Sequence, residues 1–369
     1  ASTVGIAPYK LFCRAGPMCP AAHRTRCKTR HCEPVTDVTG AAIRNPPSPH
    51  ERRLPMDNRV ICVVGPTAAG KTKMGVALAK HFGGEVVSVD SMQIYRGMTI
   101  GTAAPTEEEM EGIPHYMVDV ADPGENWSVA RFTEQADGCI QDILCRGKRP
   151  VLVGGTGLYL DSILSGRTFA AGHSGGEVRK ALQAELAAEG IEPLYRQLQQ
   201  IDPTAAARLH RSDEKRILRA LEVWRETGET ITAHDQRTRA IPPKYEASYI
   251  GLTFRERADL YARIDRRVDS MVSQGLLQEV EALLKSGLPE SATALQAIGY
   301  KQFLSVRRGE TSAEEAVAEV KLRSRQYAKR QLTWLRRNDK IHWILWEKDP
   351  DFRQGLQNAT EYLTAQGLG

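Results

Sequence analysis

Short runs of consecutive apolar residues alternate along the chain with longer stretches in which apolar residues recur every three or four positions. The short runs predict buried β-strands, and the periodic stretches predict amphipathic helices. The predicted strands lie at residues 60–64, 85–90, 150–153, 248–253 and 342–346. The predicted helices lie at residues 74–80, 129–146, 178–188, 193–200, 205–227, 257–274, 276–286 and 313–337. This alternation is typical of an α/β protein with a parallel sheet.

The same pattern divides the chain into a core, an insertion and an N-terminal extension. Residues 167–247 show helical periodicity without comparable strands, so we predict a helical insertion domain there. Residues 58–166 and 248–369 are predicted to form the α/β core. Residues 1–57 show no periodic apolar pattern and are predicted to be a disordered or targeting extension outside the fold.

The first predicted strand runs directly into a phosphate-binding motif. Residues 65–72, GPTAAGKT, fit the pattern G-x-x-x-x-G-K-[ST] between a strand and a helix, and we call them the P-loop. The candidate diphosphate-binding residues are Gly65, Pro66, Thr67, Ala68, Ala69, Gly70, Lys71 and Thr72. Backbone N–H groups and the helix dipole would hold a diphosphate, while Lys71 would add charge and Thr72 would reach a Mg²⁺ ion. The motif predicts a P-loop NTPase-like core but leaves open whether phosphate is transferred or expelled.

An acid and two arginines are the other candidates for chemistry near the P-loop. Asp90 ends the second predicted strand, where open α/β sheets form their ligand crevice. It could be a salt-bridged structural acid, a Mg²⁺ ligand or a general base, and its position favours a functional role. Arg263 and Arg267 fall on one helical face and could grip a diphosphate. Spacing alone favours the alternative, a solvated face paired with Asp265 or Asp269.

Charge is distributed unevenly along the chain. The net charge of +5 arises entirely within residues 1–57, which hold nine Lys and Arg against four Asp and Glu. Nucleic-acid binding must therefore rest on local patches. Residues 321–337 contain seven basic residues and no acid, with Lys321, Arg325 and Lys329 on one helical face. A second cluster consists of Arg208, Arg211, Lys215, Arg216 and Arg219. Each could be an ordinary charged surface, but two such patches flanking a phosphate site suggest RNA.

Composition suggests where in the cell the protein works. No apolar run approaches the roughly 18 residues of a membrane span, so we expect no membrane insertion. The basic residues 1–57 suggest a transit peptide to a plastid or mitochondrion; a disordered extension or a misassigned start would instead imply the cytoplasm. Their cysteines lack the paired C-x₂-C spacing of a zinc site, and the remaining cysteines are expected to be reduced thiols.

Several segments together resemble the tRNA dimethylallyltransferase family, also called tRNA isopentenyltransferase, of the bacterial or organellar type. The matching segments are GPTAAGKT at 65–72, SVDSMQIYRGM at 88–98, IGTAAP at 100–105, PHYMVD at 114–119, VGGTGLY at 153–159, DPTAAARLH at 202–210, KRILRALEVW at 215–224, TG at 227–228, QAIGYK at 296–301 and SRQYAKRQLTW at 324–334. Their order and their spread over residues 60–337 make the resemblance far more specific than any single motif.

The resemblance implies alkyl transfer rather than phosphoryl transfer. The dimethylallyl group of dimethylallyl diphosphate would pass to N6 of the adenosine just 3′ of the anticodon. Asp90 would accept an N6 proton, while Thr72, Arg267, Lys71 and Mg²⁺ would stabilise the departing diphosphate. The partner would be the tRNA anticodon stem-loop, and we expect a monomer. Candidate tRNA-binding residues from the resemblance and the basic patches are Asp90, Ser91, Met92, Gln93, Thr156, Arg179, Lys215, Arg216, Arg219, Gln296, Gly299, Tyr300, Lys301, Arg325, Lys329 and Arg330.

The chain departs from the family pattern in one loop. Thr99 and Ala104 stand where the family usually has Asp and Lys, and Tyr116 follows His115 where a second His is common. Substrate contacts in that loop are therefore left open. No cysteine follows Cys145, so the zinc finger of some eukaryotic members is not expected.

Three other functions compete with tRNA modification. An adenylate isopentenyltransferase would use a similar donor site and a free nucleotide, and a P-loop small-molecule kinase would share the P-loop alone. A non-catalytic RNA-binding protein is the third alternative. The helical insertion and the basic patches favour tRNA, because a free nucleotide needs no extended basic surface.

Overall fold

The computed structural model describes residues 57–166 and 176–368, and a parallel β-sheet lies at its centre. The strands are β1 (Arg59–Val64), β2 (Gly84–Val89), β3 (His115–Tyr116), β4 (Arg149–Gly154), β5 (Glu246–Phe254) and β6 (Ile341–Trp346). They form a six-stranded sheet in the order β3-β2-β4-β1-β5-β6, in which each neighbouring pair is parallel. The predicted α/β core with a parallel sheet is confirmed.

The central strand β1 shows why the apolar runs are continuous. Val60, Cys62 and Val64 belong to one hydrophobic cluster, and Ile61 and Val63 belong to another. Successive side chains of a strand point to opposite faces, so the two clusters lie on opposite sides of the sheet. Because both faces are covered, each of these positions is buried and apolar.

Helices pack on both faces of the sheet, and loops connect them to the strands. They are α1 (Lys71–His81), α2 (Glu107–Met110), α3 (Val129–Cys145), α4 (Gly157–Ser165), α5 (Glu177–Glu189), α6 (Ile191–Ile201), α7 (Pro203–Arg208), α8 (Glu214–Thr227), α9 (Ile231–Arg239), α10 (Arg257–Ser273), α11 (Leu276–Lys285), α12 (Tyr300–Arg307), α13 (Ala313–Leu335) and α14 (Phe352–Ala365). Helix α1 packs against β2 and β4 from one face, and α3 packs against the same strands from the other.

Helices α5 to α8 share a hydrophobic cluster of their own. It includes Leu182 of α5, Leu194 and Leu198 of α6, and Ile217 and Leu221 of α8. The predicted helical character of this region is confirmed for residues 177–239, which contain α5 to α9, whereas β5 already begins at Glu246. Residues 1–56 and 167–175, where the N-terminal extension and the start of the insertion were predicted, lie outside the described residues. The division into three domains therefore stays a prediction.

The single helix predicted at 205–227 is wrong, because the chain forms α7 and α8 with a turn between them. Asp202 caps α7 by accepting a hydrogen bond of 2.9 Å from a backbone N–H of the first turn, and Pro203 takes the first helical position. Asp213 caps α8 in the same way. Asp213, a capping residue within the periodic stretch, thus marks a break that apolar spacing does not reveal.

The pattern of apolar residues does not predict some of the short elements. Strand β3 has two residues, and α4 begins directly after a glycine-rich loop that predicts no helix. Helices α9, α12 and α14 were likewise not predicted. Within residues 57–166 and 176–368, each helix is too short or too polar to cross a membrane.

Candidate active site

The P-loop lies between the end of β1 and the start of α1, and its glycines are required by its geometry. A Cβ atom on Gly65 would lie 2.4 Å from the carbonyl oxygen of Leu252, which is too close for any other residue. Gly70 precedes the first residue of α1 with φ +88°, in the left-handed region that favours glycine. The loop therefore presents backbone N–H groups at the N-terminus of α1, an arrangement suited to an anion.

Side chains from distant parts of the chain hold the P-loop in place. Gln331 of α13 accepts a hydrogen bond of 2.9 Å from Thr67 N and donates one of 3.1 Å to the carbonyl oxygen of Gly155. Trp346 at the end of β6 donates a hydrogen bond of 3.0 Å to the carbonyl oxygen of Ala69. Both contacting side chains are buried. These hydrogen bonds fix the position of the P-loop relative to α13 and β6.

Two cations lie beside the P-loop without a carboxylate partner. Lys71 Nζ donates a hydrogen bond of 2.8 Å to the carbonyl oxygen of Pro66. Burial lowers the pKa of Lys71 to about 7; the charge of Arg267 acts in the same direction, and that of Asp90 opposes it. Burial also lowers the pKa of Arg267. In the described part of the chain, no carboxylate lies within ion-pair distance of Arg267 or Lys71. A bound anion would relieve the repulsion between these cations.

Arg263 and Arg267 do not pair with Asp265 or Asp269, although their spacing alone favours such pairs. Arg263 donates a hydrogen bond of 2.9 Å from Nε to the carbonyl oxygen of Ala68, so it also supports the P-loop. The nearby aspartates pair elsewhere: Asp265 and Asp269 bind cations of α13. The prediction that these aspartates neutralise the two arginines is wrong.

Asp90 follows β2 at the same edge of the sheet as the P-loop. Strand β4 lies between β1 and β2, so the two loops do not follow neighbouring strands. The charge of Asp90 nevertheless acts on Lys71 and Arg267. One carboxylate oxygen, Oδ1, accepts hydrogen bonds of 2.8 Å from Met92 N and 3.4 Å from Gln93 N. Among the described residues Asp90 forms no salt bridge, which argues against a salt-bridged structural acid.

Two tyrosines near Asp90 were missed by the sequence reasoning. Burial is the main cause that raises the pKa of Tyr327 on α13, and the charge of Asp90 acts in the same direction. Burial raises the pKa of Tyr159 on α4 to about 12. Both therefore stay protonated at neutral pH. Their presence within the matched segments at 153–159 and 324–334 is the signal that could have identified them.

Helix α13 is less positively charged than its sequence indicates. Arg325 binds both carboxylate oxygens of Asp265 at 2.6 and 2.8 Å, and Lys321 pairs with Asp269 at 2.6 Å. Those acids belong to α10, so a count within α13 does not include them. Lys329 is exposed and has no ion pair within the described residues. It lines a cavity of about 170 Å³ at the end of β5 together with Arg255, Arg257 and Arg336.

The second basic cluster is also partly neutralised. Arg179 and Arg219 approach the same carboxylate, that of buried Glu222, at 3.6 and 2.9 Å. Arg216 pairs with Asp213 at 3.1 Å. Lys215 has no ion pair in the part of the chain that the structure describes.

The remaining tRNA-binding candidates lie in the turn after β2, around the start of α12 and on α13, and Thr156 immediately precedes α4. Ser91, Met92 and Gln93 form the turn that follows β2 and are partly buried. Gln296, Gly299, Tyr300 and Lys301 lie around the start of α12. Tyr300 is fully buried, so its side chain cannot face an RNA in this structure. Arg330 lies over the ring of Tyr327, with 5.6 Å between the guanidinium carbon and the ring centre.

Thr72 is the candidate for holding a metal ion. The described residues contain no cluster of three or more His, Cys, Asp and Glu side chains arranged to bind a metal. A Mg²⁺ ion keeps several waters and takes only one or two protein ligands when substrate phosphates supply the rest. The hydroxyl of Thr72, in the first turn of α1, therefore fits a Mg²⁺ carried by a diphosphate but not one held by protein alone.

This chain matches two family models and is similar to several known proteins. A model of the IPP transferase family matches residues 93–338, and a model of the isopentenyl transferase family matches residues 58–121. A tRNA dimethylallyltransferase of Acetivibrio thermocellus is 44% identical over 313 residues, which are 85% of this chain and 99% of that protein. The tRNA dimethylallyltransferase of Alkaliphilus oremlandii is 46% identical over 288 residues, 78% of this chain and 91% of that protein.

Two solved structures are also similar to this chain. The full-length tRNA isopentenylpyrophosphate transferase of Bacillus halodurans superposes with a TM-score of 0.62 at 40% identity, covering 84% of this chain and 96% of that one. A eukaryotic dimethylallyltransferase, solved in snapshots of its action on tRNA, gives a TM-score of 0.71 at 30% identity, covering 83% of this chain and 77% of that one. The likeness extends over most of the chain.

Proposed function

The chain belongs to the tRNA dimethylallyltransferase family, and from this membership we propose that it performs the family's reaction in the cleft between the P-loop and Asp90. The dimethylallyl group of dimethylallyl diphosphate is transferred to N6 of the adenosine next to the anticodon on its 3′ side, and diphosphate is released. The observation that carries this proposal is the pair of cations, Lys71 and Arg267, that lie at the P-loop without a carboxylate partner.

The donor half of the site stabilises the leaving group. When the bond between the allylic carbon and the diphosphate oxygen breaks, its electron pair stays on the diphosphate. In this proposal the P-loop N–H groups, Lys71 and Arg267 neutralise that charge, which is the main requirement for breaking an allylic C–O bond. A Mg²⁺ ion, held by Thr72 and the diphosphate, would share the charge when bound. Arg263 supports the loop through the carbonyl oxygen of Ala68.

The acceptor half removes a proton. The lone pair of N6 forms the new bond to the allylic carbon, and the nitrogen then loses one proton. We propose that Asp90 accepts it; the supporting observation is that its Oδ1 accepts hydrogen bonds from Met92 N and Gln93 N, while Oδ2 has no hydrogen-bond partner among the described residues. The adenine must leave the stacked anticodon loop to reach this position.

The surface that binds the anticodon stem-loop would use the cations that the fold leaves unpaired. Lys215, Lys329 and Arg330 form no ion pair within the described residues, so each can contact a phosphate directly. Arg179, Arg219 and Arg325 would first have to exchange a carboxylate partner for a phosphate. We therefore propose a larger contribution from the first three.

An acceptor assay tests the proposed function. The full chain is incubated with labelled dimethylallyl diphosphate, Mg²⁺ and either unmodified tRNA or AMP. We expect label in tRNA and none in AMP. Label in AMP alone would identify an adenylate isopentenyltransferase instead, and phosphate transfer from ATP without prenyl transfer would identify a kinase.

A further inference from the structure

Glu279, in the first turn of α11, fastens a loop that lies 180 residues earlier in the sequence. Its carboxylate accepts hydrogen bonds from three consecutive backbone N–H groups, those of Thr99 (2.9 Å), Ile100 (2.8 Å) and Gly101 (3.0 Å). The hydroxyl of Thr99 adds a fourth hydrogen bond of 3.0 Å. Three parallel N–H groups form a small anion-binding concavity, and here a side chain of the same protein fills it.

The same carboxylate is bonded to the start of α12. The hydroxyl of Tyr300 donates a hydrogen bond of 2.5 Å to Glu279 Oε1. Burial and the neighbouring carboxylate raise the pKa of Tyr300, so the phenol remains a donor at neutral pH. The backbone of Gly101 packs directly on this ring, since an added Cβ atom would lie 2.4 Å from Tyr300 Cε2. Glu279 thus joins residues 98–104 to residues 296–301.

A further set of hydrogen bonds connects this loop to Asp90. Gln93 Nε2 donates to the carbonyl oxygen of Ala103 at 3.1 Å, and Gln93 Oε1 accepts from Ser88 Oγ at 2.8 Å. The backbone N–H of Gln93 in turn points to Asp90 Oδ1. A shift of the loop would therefore move the Gln93 side chain and the turn that orients the Asp90 carboxylate.

We propose that Glu279 is a positioning residue for transfer to tRNA. It fixes the loop at 98–104, and through that loop it sets both the orientation of Asp90 and the placement of residues 296–301. This inference rests on the proposed function. Glu279 touches neither the P-loop nor Lys71, so we expect a larger effect on the acceptor half of the reaction than on the donor half. If Glu279 had a purely structural role, its substitution would lower the free energy of unfolding without affecting the kinetic constants for tRNA and for dimethylallyl diphosphate differently.

The test measures steady-state kinetics of the full chain with dimethylallyl diphosphate and unmodified tRNA, comparing Glu279→Gln with Glu281→Gln. Glutamine keeps the shape of the side chain but places an N–H₂ group against the loop N–H groups. Glu281 lies on the same helix and forms its ion pair with Lys285, at 3.6 Å. We expect Glu279→Gln to lower kcat about tenfold or more and to raise the KM for tRNA, because small misplacements of catalytic groups are costly. The KM for dimethylallyl diphosphate should stay within about twofold, and Glu281→Gln should match the wild type in each constant.

A second variant keeps the inference testable if Glu279→Gln does not fold. Tyr300→Phe removes one hydroxyl and leaves the three backbone contacts, so we expect a smaller change in the same direction. Combined with Glu279→Gln it should be less than additive, because both act through one carboxylate.

The inference is overturned if both variants keep kcat and the KM for tRNA within twofold of the wild type. It is equally overturned if the KM for the donor rises as much as that for tRNA. A wild-type chain that transfers no dimethylallyl group to tRNA would refute the proposed function and this role together. Wild-type activity with unaffected variants would refute only this role.

Discussion

The loop after β1 and the loop after β2 end at the same edge of the sheet, but they are held in different ways. The P-loop supplies its anion-binding groups from eight consecutive residues, with glycines where a side chain would collide or be strained, such as Gly65, and distant side chains such as Gln331 support it. The turn after β2 depends on side chains far away in sequence, through Gln93 and ultimately Glu279. The anion-binding groups of the P-loop thus come from one run of residues, whereas the orientation of Asp90 depends on hydrogen bonds between segments far apart in sequence.

This contrast predicts that substitutions can separate the two halves. Replacing Asp90 by Asn should have the largest effect. Asparagine can still accept hydrogen bonds at Oδ1 but cannot take the N6 proton, so we expect kcat to fall about 100-fold or more. The KM for dimethylallyl diphosphate and the affinity for tRNA should change little. Rapid-quench assays with binding measured in parallel provide the check, and unchanged kcat would remove Asp90 as the base.

Loss of a cation at the P-loop should affect the donor half instead. We expect Arg267→Gln to reduce kcat/KM for dimethylallyl diphosphate about 100-fold, which corresponds to about 3 kcal/mol of lost charge stabilisation. Binding of tRNA should be nearly unchanged. Arg266 is the matched control, since it is the next residue of α10, is exposed and forms no ion pair among the described residues. An equal loss in Arg266→Gln would contradict a specific role for Arg267.

The kinetics of the donor half should depend on pH through the ionisation of Lys71. In the free enzyme the pKa of Lys71 lies at about 7, so the amine is protonated below that pH and loses its proton above it. A neutral amine attracts diphosphate weakly. We expect kcat/KM for dimethylallyl diphosphate to fall as pH rises above 7, by up to about tenfold per unit. Lys71→Arg should abolish this dependence, because arginine stays charged. A profile that remains flat for the wild type from pH 6 to 9 would contradict the lowered pKa.

Substitution of Gln331 should have a smaller effect on the donor half. This side chain belongs to α13 and holds the P-loop by hydrogen bonds. Replacing it by Leu leaves Thr67 N and the carbonyl oxygen of Gly155 without their partner. We expect the free energy of unfolding to fall by about 1–3 kcal/mol and the KM for dimethylallyl diphosphate to rise. Chemical denaturation and donor kinetics measure both quantities. If instead the KM for tRNA alone changed, Gln331 would belong to the acceptor half.

The same contrast explains what could be predicted from the sequence. The sheet and the P-loop are visible because each depends on consecutive residues, such as the apolar run of β1 and the eight residues that follow it. The ion pairs of Lys321 and Arg325 with α10 could not be predicted, since their partners lie more than 50 residues away. Glu279 carries no local signal at all, because its meaning arises only when α11 packs against the loop at 98–104.

The most direct measurement follows both products in one reaction. Unmodified tRNA and a variant tRNA with guanosine in place of the adenosine next to the anticodon are each incubated with labelled dimethylallyl diphosphate and the full chain. We expect one equivalent of diphosphate released for each dimethylallyl group found on N6 of that adenosine, and neither product with the variant tRNA. Equal labelling of both tRNAs, or diphosphate release without transfer, would contradict the division of the site into a donor half and an acceptor half.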